Sequence, residues 1–514
     1  MLNHGPLIAL AMTLTIAASP ALAEDHPPLR IVTSFAIESM DPYSEGFWMQ
    51  EFGVAELLMK FENDGQHHPW LLSDLEAADD QTWVLTLREN ITFQNGRPVN
   101  AEAVLAAIDL QLENSPSARG SVPESAEFSM TGEFEITVTT DQPWPSLPGT
   151  LANESVFLIF DAEAVEAVGD DWSSLVGAGI YTGPYAVTLL DANEMVAERF
   201  DDYWQGVPAL PGLSVAFVTD PNARILAVQN DEADIALYPP TAAFPVIEAT
   251  PGLHFVAGTP GTGGFMGFFN TAHAPFDDAL ARRAVLHAID YEHIAETVFK
   301  GLRATATGLY NADFAWAVEN YATDQTEAAR LLDEAGWTLG SNGRRSKDGT
   351  PLDLTVLIYP QQPDLVPLSN DLQAQFNALG IAVTVQSVDD IYAGMGEGTV
   401  DWDIAISSEG TVSWGITEGF LNRYVASSGG RNYAGYANDR IDALIAELAI
   451  TVDTERRNAA LREIQEILHD EDPYVFSFVI SKGAVVVNDR YQDYPPGFAL
   501  YHVSWQTAPS GSAQ

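Results

Sequence analysis

Between Leu352 and Ser407 the hydrophobic period changes twice, and this restricts the fold more than any other feature of the chain. Leu354, Val356 and Ile358 alternate as a strand does. Leu365, Leu368, Leu372, Phe376 and Leu379 then follow at helical spacing, and Gly380 ends the helix. Ile381, Val383 and Val385 return to period two, and Asp403 to Ser407 reads as a further short buried strand. Strand, helix and strand in that order belong to an α/β fold rather than a sandwich or a bundle.

Other helices mark their own ends. Asn100 can cap a segment carrying Val104, Ile108 and Leu112, and Asp278 precedes one carrying Ala281, Val285, Ala288 and Ile289. Gly336 closes a helix over 326–335, and Ile441, Leu444, Ile445 and Leu448, then Leu461, Ile464 and Leu468, mark two amphipathic helices. Apolar strands are expected over 475–480 and 484–487. Loops rich in Gly and Pro are expected around 143–149, 259–264 and 427–430, as boundaries or cleft-lining turns.

The apolar stretch from Leu7 to Ala18, followed by Pro20 and Ala21-Leu22-Ala23, predicts a signal peptide over 1–23 with cleavage before Glu24, although its n-region holds no Lys or Arg. No other stretch approaches about 18 uninterrupted apolar residues, and at about 150 residues per domain the remainder suggests roughly three domains. The 514 residues carry a net charge of −49 and no cysteine. Such a field repels nucleic acid and anionic lipid, and suits either solvation in salty surroundings or attraction of cationic ligands. The missing cysteine removes disulfides, thiolate catalysis, Cys-based zinc sites and a lipid anchor of the cysteine type.

Catalytic signatures are missing. The chain has neither G-x-S-x-G nor H-E-x-x-H, and the glycines from Gly258 to Gly267 have neither dinucleotide-binding spacing nor a P-loop lysine, so close backbone approach explains them better. His67-His68 reads as an exposed loop pair, and His293 with Glu296 as a surface pair. Asp401 and Asp403 could project to one side, but two acids among 72 carry little weight as an acid/base pair. Asn63-Asp64-Gly65 lacks calcium-loop spacing and reads as a turn.

The stretch around Trp70 carries a Thr82-Trp83-Val84-Leu85-Thr86-Leu87-Arg88 strand, a Phe93-x-Asn95-Gly96-x-Pro98 turn and an Ala101-Glu102-x-Val104 helix. Further blocks follow at Tyr181-Thr182-Gly183-Pro184-Tyr185, Tyr203-Trp204, Ala233-Asp234-Ile235, Phe269-Asn270-Thr271 and Arg282-Arg283-Ala284. In this order they resemble the family 5 solute-binding proteins, which serve ABC importers for peptides, nickel chelates and related solutes. The resemblance covers nearly all of the chain after the signal segment. It implies a periplasmic binding protein type II-like fold, with two α/β lobes, a hinge and an extra domain inserted in the first. The expected division is lobe I at 24–42, 170–258 and 483–514, the inserted subdomain at 43–169, and lobe II at 259–482.

The signal segment and the missing cysteine lead one to expect a periplasmic chain without lipid anchor, and the resemblance implies a monomeric receptor without enzyme activity or cofactor, which hands a peptide or peptide-like amine to an importer permease and ATPase complex. Peptide-binding members carry an acid before a DPxNF-like segment; here that region runs from Ser407 to Trp414, so Ser408, Glu409 and Trp414 are expected at the ligand, Glu409 facing an amine. Tyr43, Trp48 and Met49 follow the first strand and are expected as apolar walls, with core packing an equal competitor. Nickel-chelate members use a histidine near 427–430 and an arginine near Asn153-Glu154-Ser155; neither is present, and Arg431 is expected to hold a ligand carboxylate instead. A metallophore or nickel-complex receptor is the alternative within the family, and a secreted hydrolase acting on cationic substrates is the alternative outside it.

Overall fold

The computed structural model describes residues 26–512 except 170, 397, 399 and 498–502, so the expected signal segment 1–23 lies outside the described residues. Eleven strands form one mixed sheet: β1 (Leu29–Thr33), β2 (Tyr185–Leu190), β3 (Glu194–Arg199), β4 (Gly212–Phe217), β5 (Ile235–Leu237), β6 (Leu253–Phe269), β7 (Arg303–Thr305), β8 (Asp353–Ile358), β9 (Ala382–Ser387), β10 (Ile404–Gly410) and β11 (Val475–Asn488). Their spatial order is β2-β3-β4-β1-β5-β11-β6-β10-β8-β9, with β7 also on β11. The pairs β1–β4, β1–β5, β8–β9 and β8–β10 are parallel. Parallel strands are covered on both faces, and Val356, Leu357 and Ile358 are accordingly all buried in succession.

The α/β reading of 352–407 holds: β8 leads into the helix Leu365–Ala378, Gly380 turns at φ +82°, and β9 and β10 pair on either side of β8. Asn100 and Asp278 cap their helices through side-chain oxygens that accept from Ala103 N and Leu280 N. Each such cap is worth about 1 kcal/mol.

Two expectations fail at the centre. The stretches 475–480 and 484–487 are one strand, β11, and the expected loop at 259–264 lies inside the 17-residue β6. β6 and β11 run side by side from Leu253 opposite Asn488 to Phe268 opposite Val475, with register shifts between Ala257 and Gly264. One end of this ribbon joins the sheet of β1–β5 and the other that of β7–β10, so two halves share two continuous strands. Glycine permits the close packing. A Cβ on Gly264 would stand 1.9 Å from the Val479 carbonyl oxygen, and one on Gly263 2.1 Å from that of Glu409.

The cores follow this division. Two clusters, one including Phe265, Phe269 and Leu372 and the other Met266, Leu357 and Tyr424, cover the β7–β10 half. Leu29, Ile235 and Val487 belong to a cluster in the other half. A separate cluster with Leu85, Ile108 and Ile136 sits under a four-stranded sheet ordered Leu72–Asp79, Thr82–Leu87, Glu135–Thr139, Glu127–Gly132. Where this unit meets the first half, the buried Glu56 carboxylate accepts from Tyr203 Oη at 2.6 Å and Trp204 Nε1 at 3.0 Å. Burial pushes its pKa up to about 7.

Candidate functional site

β10 and β8 end at Gly410 and Ile358, and β1 and β5 at Thr33 and Leu237; the carboxyl ends of parallel strands are where open α/β sheets bind ligands. The two halves meet there. Ser413 and Ile416 exchange backbone hydrogen bonds, Ser413 N to Ile416 O at 3.1 Å and Ile416 N to Ser413 O at 2.8 Å. The residues between them, Trp414 and Gly415, have φ of +48° and +80°, the signature of a type I′ turn. A non-glycine residue rarely holds that conformation, and here the reward is a contact across the cleft. Trp414 Nε1 donates to Glu154 Oε2 at 2.7 Å, and His67 Nε2 donates to the Trp414 carbonyl at 2.7 Å. Gly149 completes the notch, since a Cβ there would stand 2.7 Å from the Trp414 carbonyl oxygen.

Burial sets the charge states in the notch. Glu154 is 5 % exposed and its carboxyl is pushed above the usual range, whereas His67 is pushed down to about 4 and is neutral near pH 7. On the β8 side, Thr241 Oγ1 donates to Asp364 Oδ2 at 3.1 Å, and Arg303 Nη2 donates to the same oxygen at 3.0 Å.

Beside the turn lies a cavity of about 1290 Å³ whose wall includes Phe47, Trp70, Glu154, Val412 and Trp414. Its charged lining is Glu51, Glu62, Asp64, Glu154 and Asp493 against Lys60, strongly acidic. Glu154 stands at the place where the nickel-chelate pattern leads one to expect an arginine.

Of the residues expected at the ligand, Trp414 lines this cavity. Glu409 and Arg431 come together in a cluster of their own. Tyr392 Oη and Tyr424 Oη donate to the Glu409 carboxylate at 2.8 and 2.7 Å, Ser407 Oγ donates to it as well, and Ser408 N donates to Tyr359 Oη at 3.2 Å. Arg431 Nη1 donates to Tyr424 Oη at 2.6 Å while its guanidinium lies 3.8 Å over the Tyr392 ring. Glu409 is thus held by three hydroxyls of its own half.

The expected walls fare differently. Met49 is 0 % exposed inside the first-half core, so it supplies packing and cannot be a cleft wall. Tyr43 packs edge-on against Phe160 and Trp172, and Trp48 stacks on Phe35 at 5.5 Å; neither lines the cavity. Phe35 also meets Tyr238 edge-on at 5.1 Å, which extends these rings along the ends of β1 and β5.

Other expectations are corrected by pairing. His67 and His68 lie on a strand, His67–Pro69, not in a loop, and His68 Nε2 bonds Asp64 Oδ2 at 2.8 Å. His293 pairs with Asp371 at 3.1 Å, not with Glu296, and Asp403 Oδ2 accepts from Thr355 N at 2.7 Å as scaffold. Sequence reasoning missed Tyr359, Tyr392, Tyr424, His67 and Lys60. The first two directly follow β8 and closely follow β9, a position that could have flagged them once the strands were assigned.

Residues 66–432 match the bacterial extracellular solute-binding proteins, family 5 Middle. The chain belongs to this family. It is 25 % identical over 498 residues to the nickel-binding protein NikA of Staphylococcus aureus, covering 96 % of each chain. It is 26 % identical over 503 residues to the glutathione-binding protein GsiB of Salmonella typhi, covering 92 % of this chain and 93 % of that one. Among solved structures, the nickel ABC transporter protein of Bacillus halodurans superposes with a TM-score of 0.82 at 24 % identity, covering 93 % of this chain and 99 % of that one. The two-lobed periplasmic-binding-protein fold and the place of the chain among the solute-binding components of ABC importers follow. Among the described residues no helix is long and apolar enough to cross a membrane.

Proposed function

We propose that this family 5 receptor captures a peptide or peptide-like amine by lobe closure and presents it to an importer permease and ATPase complex from the periplasm, exported by residues 1–23. The observation that carries the reading is the acidic cavity of about 1290 Å³ that the Trp414 turn helps to enclose. A protonated amine entering it meets desolvated carboxylates, where a charge-assisted hydrogen bond is strong. Glu154, one of whose oxygens accepts from Trp414, takes the amine-facing role first assigned to Glu409, whose oxygens are engaged by Tyr392, Tyr424 and Ser407. Arg431 retains N–H donors beyond the one given to Tyr424 and is the partner for a side-chain carboxylate of the solute at the neighbouring cluster.

Lobe I is 24–42, 170–258 and 483–514, the inserted subdomain 43–169 and lobe II 259–482. The register shifts between Ala257 and Gly264 support a hinge in the paired ribbon of β6 and β11. Relatives named for glutathione binding support a peptide-like solute.

The relative named for nickel binding favours a second reading, a nickel-complex receptor. Among the described residues no group of three or more His, Cys, Asp or Glu could hold a metal ion, so a bound complex would have to bring its own ligands. Calorimetry of the protein against di- to pentapeptides and against nickel–histidine, with and without EDTA, separates the two. Heat with peptides alone supports the first; EDTA-sensitive heat with nickel alone overturns it in favour of the second.

A further inference from the structure

Within the acidic lining of the cavity, Lys60 is the sole Lys or Arg among the described residues. It sits on the strand Met59–Phe61, antiparallel to His67–Pro69. Side chains alternate along a strand, so Met59 enters the apolar core of the inserted unit while Lys60 points the other way. Its ammonium rests 4.0 Å over the Trp70 ring, a cation–π contact that uses none of its N–H donors. Nothing among the described residues accepts a hydrogen bond from it or forms an ion pair with it. Glu56, whose oxygens are committed to Tyr203 and Trp204, and Glu62 both attract Lys60 through space, Glu56 the more strongly, but neither accepts a hydrogen bond from it. Burial pulls its pKa down, as befits an ammonium short of partners.

An entirely acidic wall would select for positive charge alone. A lone ammonium held in place by an indole, with three free donors, adds a fixed point for one negative group. That group is a carboxylate, because a phosphate dianion would meet the surrounding acids with twice the repulsion. We propose that Lys60 is a specificity-determining residue that seats the carboxylate of a zwitterionic solute, whose cationic end faces Glu154 across the same cavity. The assignment rests on the peptide reading above and narrows it: the solute carries both charges, and its free carboxylate is recognised inside the cavity rather than at Arg431.

The test is calorimetry of alanine di- to pentapeptides, each as free acid and as C-terminal amide, with the unaltered protein, Lys60→Met and Lys60→Arg. The unaltered protein is expected to bind a free acid about ten- to a hundredfold more tightly than its amide, the range for losing one charge-assisted bond. Lys60→Met is expected to bind the two forms alike, with circular dichroism and a thermal melt matching the unaltered protein to show that it is folded. Lys60→Arg is expected to restore most of the discrimination. Equal binding of acid and amide by the unaltered protein, or undiminished discrimination in Lys60→Met, overturns the role of Lys60 and leaves peptide capture standing. No binding of any peptide form overturns both.

Discussion

At the scale of single residues, the Trp414–Glu154 hydrogen bond ties the halves together through a carboxylate that has almost no solvent. Trp414→Phe keeps an aromatic side chain and removes the donor, leaving Glu154 buried with less than its due, at a cost of about 1–3 kcal/mol to this arrangement. The expected result is a larger radius of gyration by small-angle scattering in the absence of solute. Glu56 gives a test in pH. Its carboxyl lies near 7 in the folded protein and at the ordinary 4.5 when unfolded, so between those values the folded chain binds the extra proton. Stability from this group is full below pH 4.5 and falls as pH rises through 7, by roughly 3 kcal/mol in all. Urea titrations of Glu56→Gln should lack this part of the slope; an unchanged slope would assign the proton elsewhere. Trp414 was legible in the sequence only through the family resemblance of the segment from Ser407 to Trp414. The residues it meets, His67 and Glu154, were not legible as its partners, because only the folded chain brings together positions separated by hundreds of residues.

At the scale of elements, local rules worked where local physics decides. The caps at Asn100 and Asp278 and the stop at Gly380 depend on residues within one turn, and the sequence announces each of them. They failed at β6, where glycine and proline between 258 and 264 imitate a loop. Gly263 and Gly264 are there because β6 has β10 on one side and β11 on the other and leaves no room for a side chain. Gly264→Ala should therefore cost about 3 kcal/mol or more, since the new Cβ would fall 1.9 Å from the Val479 carbonyl oxygen. Chemical denaturation checks this; an effect below about 1 kcal/mol would mean the ribbon yields more easily than its packing indicates. Met49 shows the converse limit, for its place after the first strand does not distinguish a cleft wall from the core in which it is buried.

At the scale of the whole molecule, a net charge of −49 acts on anything that approaches. Association of a cationic peptide should be fast in dilute buffer and slow steeply as salt shortens the Debye length from about 30 Å at 0.01 M to about 10 Å at 0.1 M. Stopped-flow rates against ionic strength measure this, and a flat dependence would assign the charge to solvation alone. The continuous ribbon has a consequence for biogenesis. Because β11 follows every other strand of the large sheet in the chain and fills the middle of it, neither half can complete its hydrogen-bonded ladder until that late segment arrives. Nascent polypeptide should therefore stay loosely organised for most of its emergence, which would suit the export proposed for residues 1–23.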